Sequence, residues 1–75
     1  MELFHQLFPE GRDSAEVRKF ISESGWKNKI EFSNIAYDSH RARWSLLSNV
    51  VPCLVDGSSV INGKDAIISY LESKS

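Results

Sequence analysis

The chain has little of what marks several large classes of protein. It contains one cysteine among 75 residues, so it cannot form an internal disulfide and is not a disulfide-stapled secreted domain. Its nine basic and ten acidic residues are spread along the chain, without the basic run that contacts nucleic-acid backbones. The apolar runs are too short to cross a bilayer, and the first residues lack the pattern of a signal peptide. We therefore expect a cytoplasmic protein with no nucleic-acid partner and no membrane contact.

What is present describes one small globular domain. The chain is 41% hydrophobic and 25% charged, which is ordinary for a folded protein and too apolar for a disordered one. Seventy-five residues leave no room for a second domain, so we expect a single domain over residues 1–75. A chain this short buries a modest share of its surface, which requires an efficient core.

The stretch from residue 50 to residue 61 predicts a β-hairpin that begins at a proline. Pro52 cannot donate to a sheet ladder, which suits the first residue of a strand. Cys53, Leu54 and Val55 are small and apolar, as expected of a strand buried on both faces. Asp56-Gly57 predicts a type I′ turn, and residues 58–61 return as the partner strand.

The rest of the chain predicts the order β-α-β-α-β-β-α. Strands are expected over residues 2–8 and 30–35, and helices over about 13–24, 38–48 and from 62 onward. Two strands joined by a helix form a right-handed crossover and hence a parallel pair. The hairpin adds an antiparallel pair. The expected fold class is therefore α/β, with a mixed four-stranded sheet and three helices on its faces.

Polar residues mark the expected helix starts, and apolar residues mark the expected buried faces. Asp13 or Ser14 caps the first helix, Asp38 or Ser39 the second, and Asn62 the third, while Gly25 stops the first. The expected apolar faces are Val17, Phe20 and Ile21 in the first helix, Ala42, Leu46 and Leu47 in the second, and Ala66, Ile67, Tyr70 and Leu71 in the third.

These residues and this order resemble the thioredoxin fold in its glutaredoxin form, and also the N-terminal domain of glutathione transferases. The resemblance covers nearly the whole chain. It depends most on Val51-Pro52 followed by an apolar strand, Asp56-Gly57, a second strand, and Ala66-Ile67-Ile68-Ser69-Tyr70-Leu71. Both families carry a cis-proline at the position of Pro52, so the resemblance implies a cis bond there. The segment between Asp38 and Pro52 is shorter than in a typical glutaredoxin.

The chain departs from the family at the active site. Glutaredoxins place one or two cysteines between the first strand and the first helix, where this chain has Gly11-Arg12-Asp13-Ser14. That chemistry needs a thiolate with a lowered pKa, and a serine hydroxyl does not replace it. The glutaredoxin lysine that meets a glutathione carboxylate corresponds to Phe8 here. We therefore predict no catalytic residue in this segment, and the absence of both cysteines favours a binding domain over an enzyme.

The resemblance also implies where a ligand binds. In the thioredoxin fold the cis-proline loop, the start of the first helix and the start of the last helix meet at one end of the sheet. Here that end contains Val51 and Pro52, Arg12 and Ser14, and Asp65. Val51 suits backbone pairing, and Arg12 suits a carboxylate. Asp65 matches the glutaredoxin aspartate that holds the amine of glutathione, and Ser14 lies near the transferase position that holds its thiol.

Three functions stay open at this point. The leading one is a non-catalytic glutaredoxin-like domain that binds a peptide or a thiol compound, with glutathione as the candidate and no other cofactor. The second is glutathione-dependent or monothiol redox chemistry through Cys53, although a free cysteine beside apolar neighbours is more often a buried core residue. The third is a structural protein-interaction module. His5, His40 and Cys53 lack the close spacings of structural zinc sites, so no metal is expected.

Overall fold

The computed structural model describes residues 1–6 and 12–74. Within these residues the chain forms four strands and three α-helices in the predicted order. The elements are β1 (Glu2–His5), α1 (Arg12–Glu23), a 3₁₀ turn (Lys27–Lys29), β2 (Glu31–Asn34), α2 (Asp38–Leu47), β3 (Cys53–Asp56), β4 (Ser59–Asn62) and α3 (Lys64–Lys74). The end of the predicted first strand, with Phe8, and the predicted site position Gly11 lie outside the described residues.

The four strands form one mixed sheet in the order β2-β1-β3-β4. β1 and β2 are parallel, whereas β3 is antiparallel to both β1 and β4. This arrangement confirms the predicted α/β class, since the helix between β1 and β2 forms the crossover that a parallel pair needs. β1 and β3 are the two inner strands, and β4 is an outer strand.

One face of the sheet holds the main core, and α1 and α3 cover it. Its buried residues come from the sheet, the residue before β2, and the two helices: Leu3, Val17, Ile21, Ile30, Leu54, Ile67 and Leu71. The apolar positions expected in α1 and α3 are therefore largely right, with Phe20 and Tyr70 packed at the margin. Ala66 is the exception, because it is exposed at the start of α3.

The opposite face of the sheet is covered by α2 through polar contacts. The guanidinium of Arg43 lies 5.3 Å from the ring centre of Phe4 and donates to Glu2 Oε1 at 2.8 Å. The hydroxyl of Ser33 donates to the other oxygen of Glu2. The hydrogen bond from Arg43 lowers the pKa of Glu2 below its usual value. A carboxylate on this face thus holds two strands and a helix together.

The predicted apolar face of α2 is wrong. None of the residues of α2 is buried, and Leu46 is 87% exposed and Leu47 47% exposed. The helix crosses the sheet, with His40 beside the β2 carbonyl of Asn34 and Ser48 bonded to Asn62 of β4. The helix therefore contacts the sheet through Arg43, and its two leucines are exposed on the surface.

The predicted helix caps are displaced by one to three residues. Asp13 is the second residue of α1, and Asp38 is the first residue of α2, after Tyr37 at the N-cap. Asn62 ends β4, and Gly63, with φ +91°, precedes α3. An aspartate stabilises a helix start at the N-cap and also in the first turn, so its presence does not distinguish the two positions. The end of α1 is as predicted, because Gly25 has φ +85°.

The hairpin turn differs from the predicted type. Asp56 pairs with Ser59, so the two loop residues are Gly57 and Ser58 rather than Asp56 and Gly57. Gly57 has φ +61°, and no residue other than glycine among those described has positive φ. A positive φ at the first loop residue alone is the pattern of a type II′ turn. Asp56 stays in the strand, where its carboxylate accepts a hydrogen bond from the Tyr70 hydroxyl.

The fold predicts that the same truncation at two leucines has very different effects on stability. Leu54→Ala removes a fully buried side chain from β3 and should lower the free energy of unfolding by about 2–5 kcal/mol. Leu46→Ala, at an exposed position of α2, should change it by less than about 0.5 kcal/mol. Urea unfolding followed by tryptophan fluorescence measures both values. A loss for Leu46→Ala as large as that for Leu54→Ala would show that α2 packs through its leucines.

Candidate functional site

All three helices begin at the same end of the sheet. β1, β2 and β4 run in one direction, and each is followed by a helix, so the starts of α1, α2 and α3 share that end. β3 runs the other way, and Phe4 pairs with Cys53, so Val51 and Pro52 also lie there. We call this the helix-start end. Helix starts present N–H groups without intrahelical partners and a partial positive charge, which favours anions.

Three contacts tie the predicted site segments together at the helix-start end. The Gly63 N–H donates to the Pro52 carbonyl at 2.9 Å, which joins the proline to the start of α3. Lys64 Nζ lies 2.7 Å from Glu16 Oε2, which joins α3 to α1. The Gln6 N–H donates to Ser14 Oγ at 3.1 Å, which joins α1 to the end of β1.

Val51 stands out because its backbone has no hydrogen-bonding partner in the described part of the chain. The carbonyls on either side are taken, that of Val50 by Trp44 Nε1 and that of Pro52 by Gly63. The Val51–Pro52 peptide bond is cis. The Pro52 side chain is buried, whereas Val51 is half-buried. An extended segment therefore has one N–H and one C=O to pair with here.

Ser14 has a structural role at this end. It is 1% exposed, and its hydroxyl oxygen accepts the backbone N–H of Gln6. A hydroxyl that is buried and already accepts a backbone hydrogen bond favours this structural role over the predicted contact with a ligand. The hydroxyl instead anchors the first turn of α1 to β1.

Arg12 and Asp65 are exposed at the starts of α1 and α3. Between the two helices, the ion pair of Lys64 and Glu16 lowers the pKa of Glu16 and raises that of Lys64. The positive charge of Arg12 also lowers the pKa of Glu16, and the negative charge of Asp65 also raises the pKa of Lys64. Sequence reasoning missed Glu16 and Lys64, because residues 48 apart in the chain carry no local signal of pairing.

An open cavity of about 430 Å³ lies beyond the ends of the parallel strands. It is lined by Gln6 after β1, Ile35 and Ala36 after β2, and Arg41 in α2. Crevices outside the carboxyl ends of strands are where open α/β sheets bind ligands. Continuing the register of β1 and β3 would set Gln6 opposite Val51, so this cavity and Val51 flank the same residue. The sequence did not reveal the cavity, because Ile35 and Ala36 continued the pattern of a strand.

His5 is a buried histidine at the end of β1. It is 7% exposed, and its Nδ1 lies 3.1 Å from Arg18 Nη1. Burial, followed by the charge of Arg18, lowers the pKa of His5 below 6.5. Because an arginine only donates, Nδ1 accepts and the neutral ring carries its proton on Nε2. Among residues 1–6 and 12–74 no cluster of three or more His, Cys, Asp or Glu side chains is arranged to hold a metal ion.

Cys53 is fully buried, as the sequence predicted. Burial raises the pKa of its thiol, and a hydrogen bond involving Ser48 opposes the rise only in part. A thiol that is buried and protonated is a poor nucleophile. The structure therefore gives no support to redox chemistry through this residue.

Comparison with protein-family models, curated proteins and solved structures gives no significant match. Among the described helices, none is long and apolar enough to cross a membrane. A function is therefore inferred from the geometry of the chain itself.

Cys53 should react slowly in the native protein. A thiol reagent such as Ellman's reagent should modify it at least tenfold more slowly in buffer than in denaturant, since only opening exposes the thiol. Ser58→Cys in a Cys53→Ala background places a thiol on the exposed hairpin turn and should react at once, which shows that the reagent is active. Equal rates for Cys53 with and without denaturant would contradict its burial.

His5 should titrate below its usual range. Its pKa is lower in the folded than in the unfolded chain, so the unfolded chain binds more protons and stability should fall as the pH drops below about 6.5. Arg18→Gln should raise the pKa of His5 by removing a nearby positive charge, whereas Arg41→Gln should leave it closer to the wild-type value. NMR titration of the His5 ring measures the pKa in each protein. A wild-type value at or above 6.5 would contradict the placement of the ring.

Proposed function

We propose that this chain is a non-catalytic domain of the thioredoxin-like, glutaredoxin type that binds a peptide or a thiol compound at the helix-start end. The strand order β2-β1-β3-β4 and the alternation of strands and helices support the fold relationship. The observation that carries the function is the unpartnered backbone of Val51, set beside Pro52 among three helix starts. An unpaired backbone in this position suits an extended ligand.

The charges around Val51 define the chemistry of the proposed ligand. The start of α1 and the guanidinium of Arg12 favour a carboxylate. Asp65, at the start of α3, favours an amine. A ligand with both groups on an extended backbone meets these requirements, as a peptide end or a glutathione-like thiol compound does. The cavity beyond β1 and β2 is within the size range of small-molecule sites. The guanidinium of Arg41 on its wall is ion-paired with Asp38.

The described residues of the same site provide no reactive thiol, which supports a function in binding. In the described start of α1, Arg12, Asp13 and Ser14 provide no thiol, and Ser14 is buried. Cys53 follows Pro52 but is fully buried with a raised thiol pKa. We therefore propose binding without turnover, in a reducing cytoplasm where a single unpaired cysteine is stable.

A protein-interaction module is the second candidate, and one observation favours it. Five large hydrophobic side chains are exposed among the described residues. Tyr37 precedes α2, whereas Leu46, Leu47, Val50 and Val60 belong to the end of α2, the segment after it, or β4. Val50 directly precedes Val51, so this surface borders the proposed ligand site. Exposed apolar side chains gathered on one side of a small domain often mark a contact with another chain.

The proposed function predicts that single charge removals weaken binding. Arg12→Ala and Asp65→Ala should each raise the dissociation constant for reduced glutathione or a short peptide 5- to 30-fold, about 1–2 kcal/mol, because each removes one charge-assisted hydrogen bond. Both side chains are exposed, so neither change should lower the thermal midpoint appreciably. Isothermal titration calorimetry measures the constants.

Matched controls lie at the opposite end of the domain. Lys27→Ala and Glu23→Ala remove one charge of each sign where α1 ends and the 3₁₀ turn begins, and they should leave the dissociation constant unchanged. If all four variants weaken binding equally, the effect is one of net charge and the assigned site is wrong.

A further inference from the structure

The outer edge of β4 has backbone groups that point away from the sheet. Asp56 pairs with Ser59, and Leu54 pairs with Ile61. Because the loop has two residues, the closing pair of the hairpin, Asp56 and Ser59, is a hydrogen-bonded pair, and such pairs alternate along the strands. Gly63 continues the alternation by donating to Pro52. Residues 59, 61 and 63 therefore bond to the β3 side. The N–H and C=O groups of Val60 and Asn62 face outward, where none of the described strands lies beside β4.

β4 is short, which limits pairing, but it lacks two other features that commonly protect an outer strand. Its four residues, Ser59–Asn62, include no charged side chain and no proline. Val60 is 37% exposed, and Asn62 is exposed as well. A strand edge of this kind is a template for pairing with another strand.

We propose that β4 pairs antiparallel with β4 of a second copy of this chain, which forms a continuous eight-stranded sheet across a two-fold axis. With the axis beside Ile61, Val60 stands opposite Asn62 of the second copy, and Asn62 opposite Val60. These two pairs use all four outward N–H groups and all four outward C=O groups of the two strands. The edge thus satisfies the self-complementarity that a two-fold interface requires.

The side chains near this edge favour a second copy over an unrelated strand. The Ser48 hydroxyl donates to Asn62 Oδ1 at 2.6 Å, which fixes the end of α2 against β4. The two-fold axis brings the ends of both α2 helices to the same side of the joined sheet. There the exposed Leu46 and Leu47 of one copy face those of the other, beside Val60. An uncharged strand also meets its own copy without like-charge repulsion.

The expected dimer is weak, because its interface is one four-residue strand pair and a few side chains. We expect a dissociation constant on the order of 0.1 mM, with dimer visible by sedimentation velocity as the concentration rises toward about 1 mM. Val60→Lys should raise that constant at least tenfold, since it sets two lysines on diagonal positions of the paired strands. Ser22→Lys, on an exposed position of α1, adds the same charge away from β4 and should leave association unchanged.

Two further measurements decide the register and the occupant. An equimolar mixture of Val60→Lys and Val60→Glu should form the heterodimer, although each variant alone is monomeric. In wild-type protein without ligand, the amide protons of Val60 and Asn62 should exchange more slowly as concentration rises, while that of Ile61 is protected throughout. The proposal would be overturned if the protein stays monomeric up to about 1 mM, or if it dimerises without protecting the amides of Val60 and Asn62. The edge of β4 would then be a candidate for pairing with a strand of another protein. Because no ligand is added, failure here leaves the proposed ligand site untouched.

Discussion

The direction of the strands is the constraint on which the candidate site depends. β1, β2 and β4 run the same way, so the helix that follows each of them starts at one end of the sheet. The opposite direction of β3 brings Val51 and Pro52 to that same end. If any of these strands were reversed, the helix starts and the proline would no longer meet. The meeting of three positive helix ends with the unpaired backbone of Val51 is thus a consequence of topology.

The two faces of the sheet are stabilised by different interactions. α1 and α3 bury apolar side chains against Leu3 and Leu54, as a helix face in a small domain normally does. α2 instead contacts the other face through Arg43, which lies over Phe4 and donates to Glu2. This polar attachment leaves the leucines of α2 free to form a surface, and the proposed contact between two copies depends on it.

Much of the fold was predictable because local patterns and topology agree. The alternation of elements, the buried apolar strand β3 and the glycine that ends α1 each have a local cause in the sequence. The error in α2 has a physical reason: Leu46 and Leu47 signal an apolar face, but Arg43 makes the long-range contact with Glu2 that orients the helix. The turn was misplaced because Asp56 has a distant partner in Tyr70.

The site was predictable only in outline. The meeting of the helix starts at Pro52 follows from the order of elements, so the segments could be named in advance. Their side-chain roles could not, because they depend on pairs distant in sequence. Ser14 accepts a hydrogen bond from the Gln6 N–H, and Lys64 of α3 forms an ion pair with Glu16 of α1. The cavity beside Arg41 depends on where β2 ends, which a strand pattern does not specify within two residues.

The central claim is that ligands bind where the helices begin. NMR chemical-shift mapping tests it most directly, with uniformly ¹⁵N-labelled protein titrated with reduced glutathione, oxidised glutathione and a set of short peptides. The account predicts that a binding ligand shifts the resonances of Val51, residues 12–14 and residues 62–65 together. Shifts confined to Trp26, Trp44 or the end of α2, with none in these segments, would contradict it.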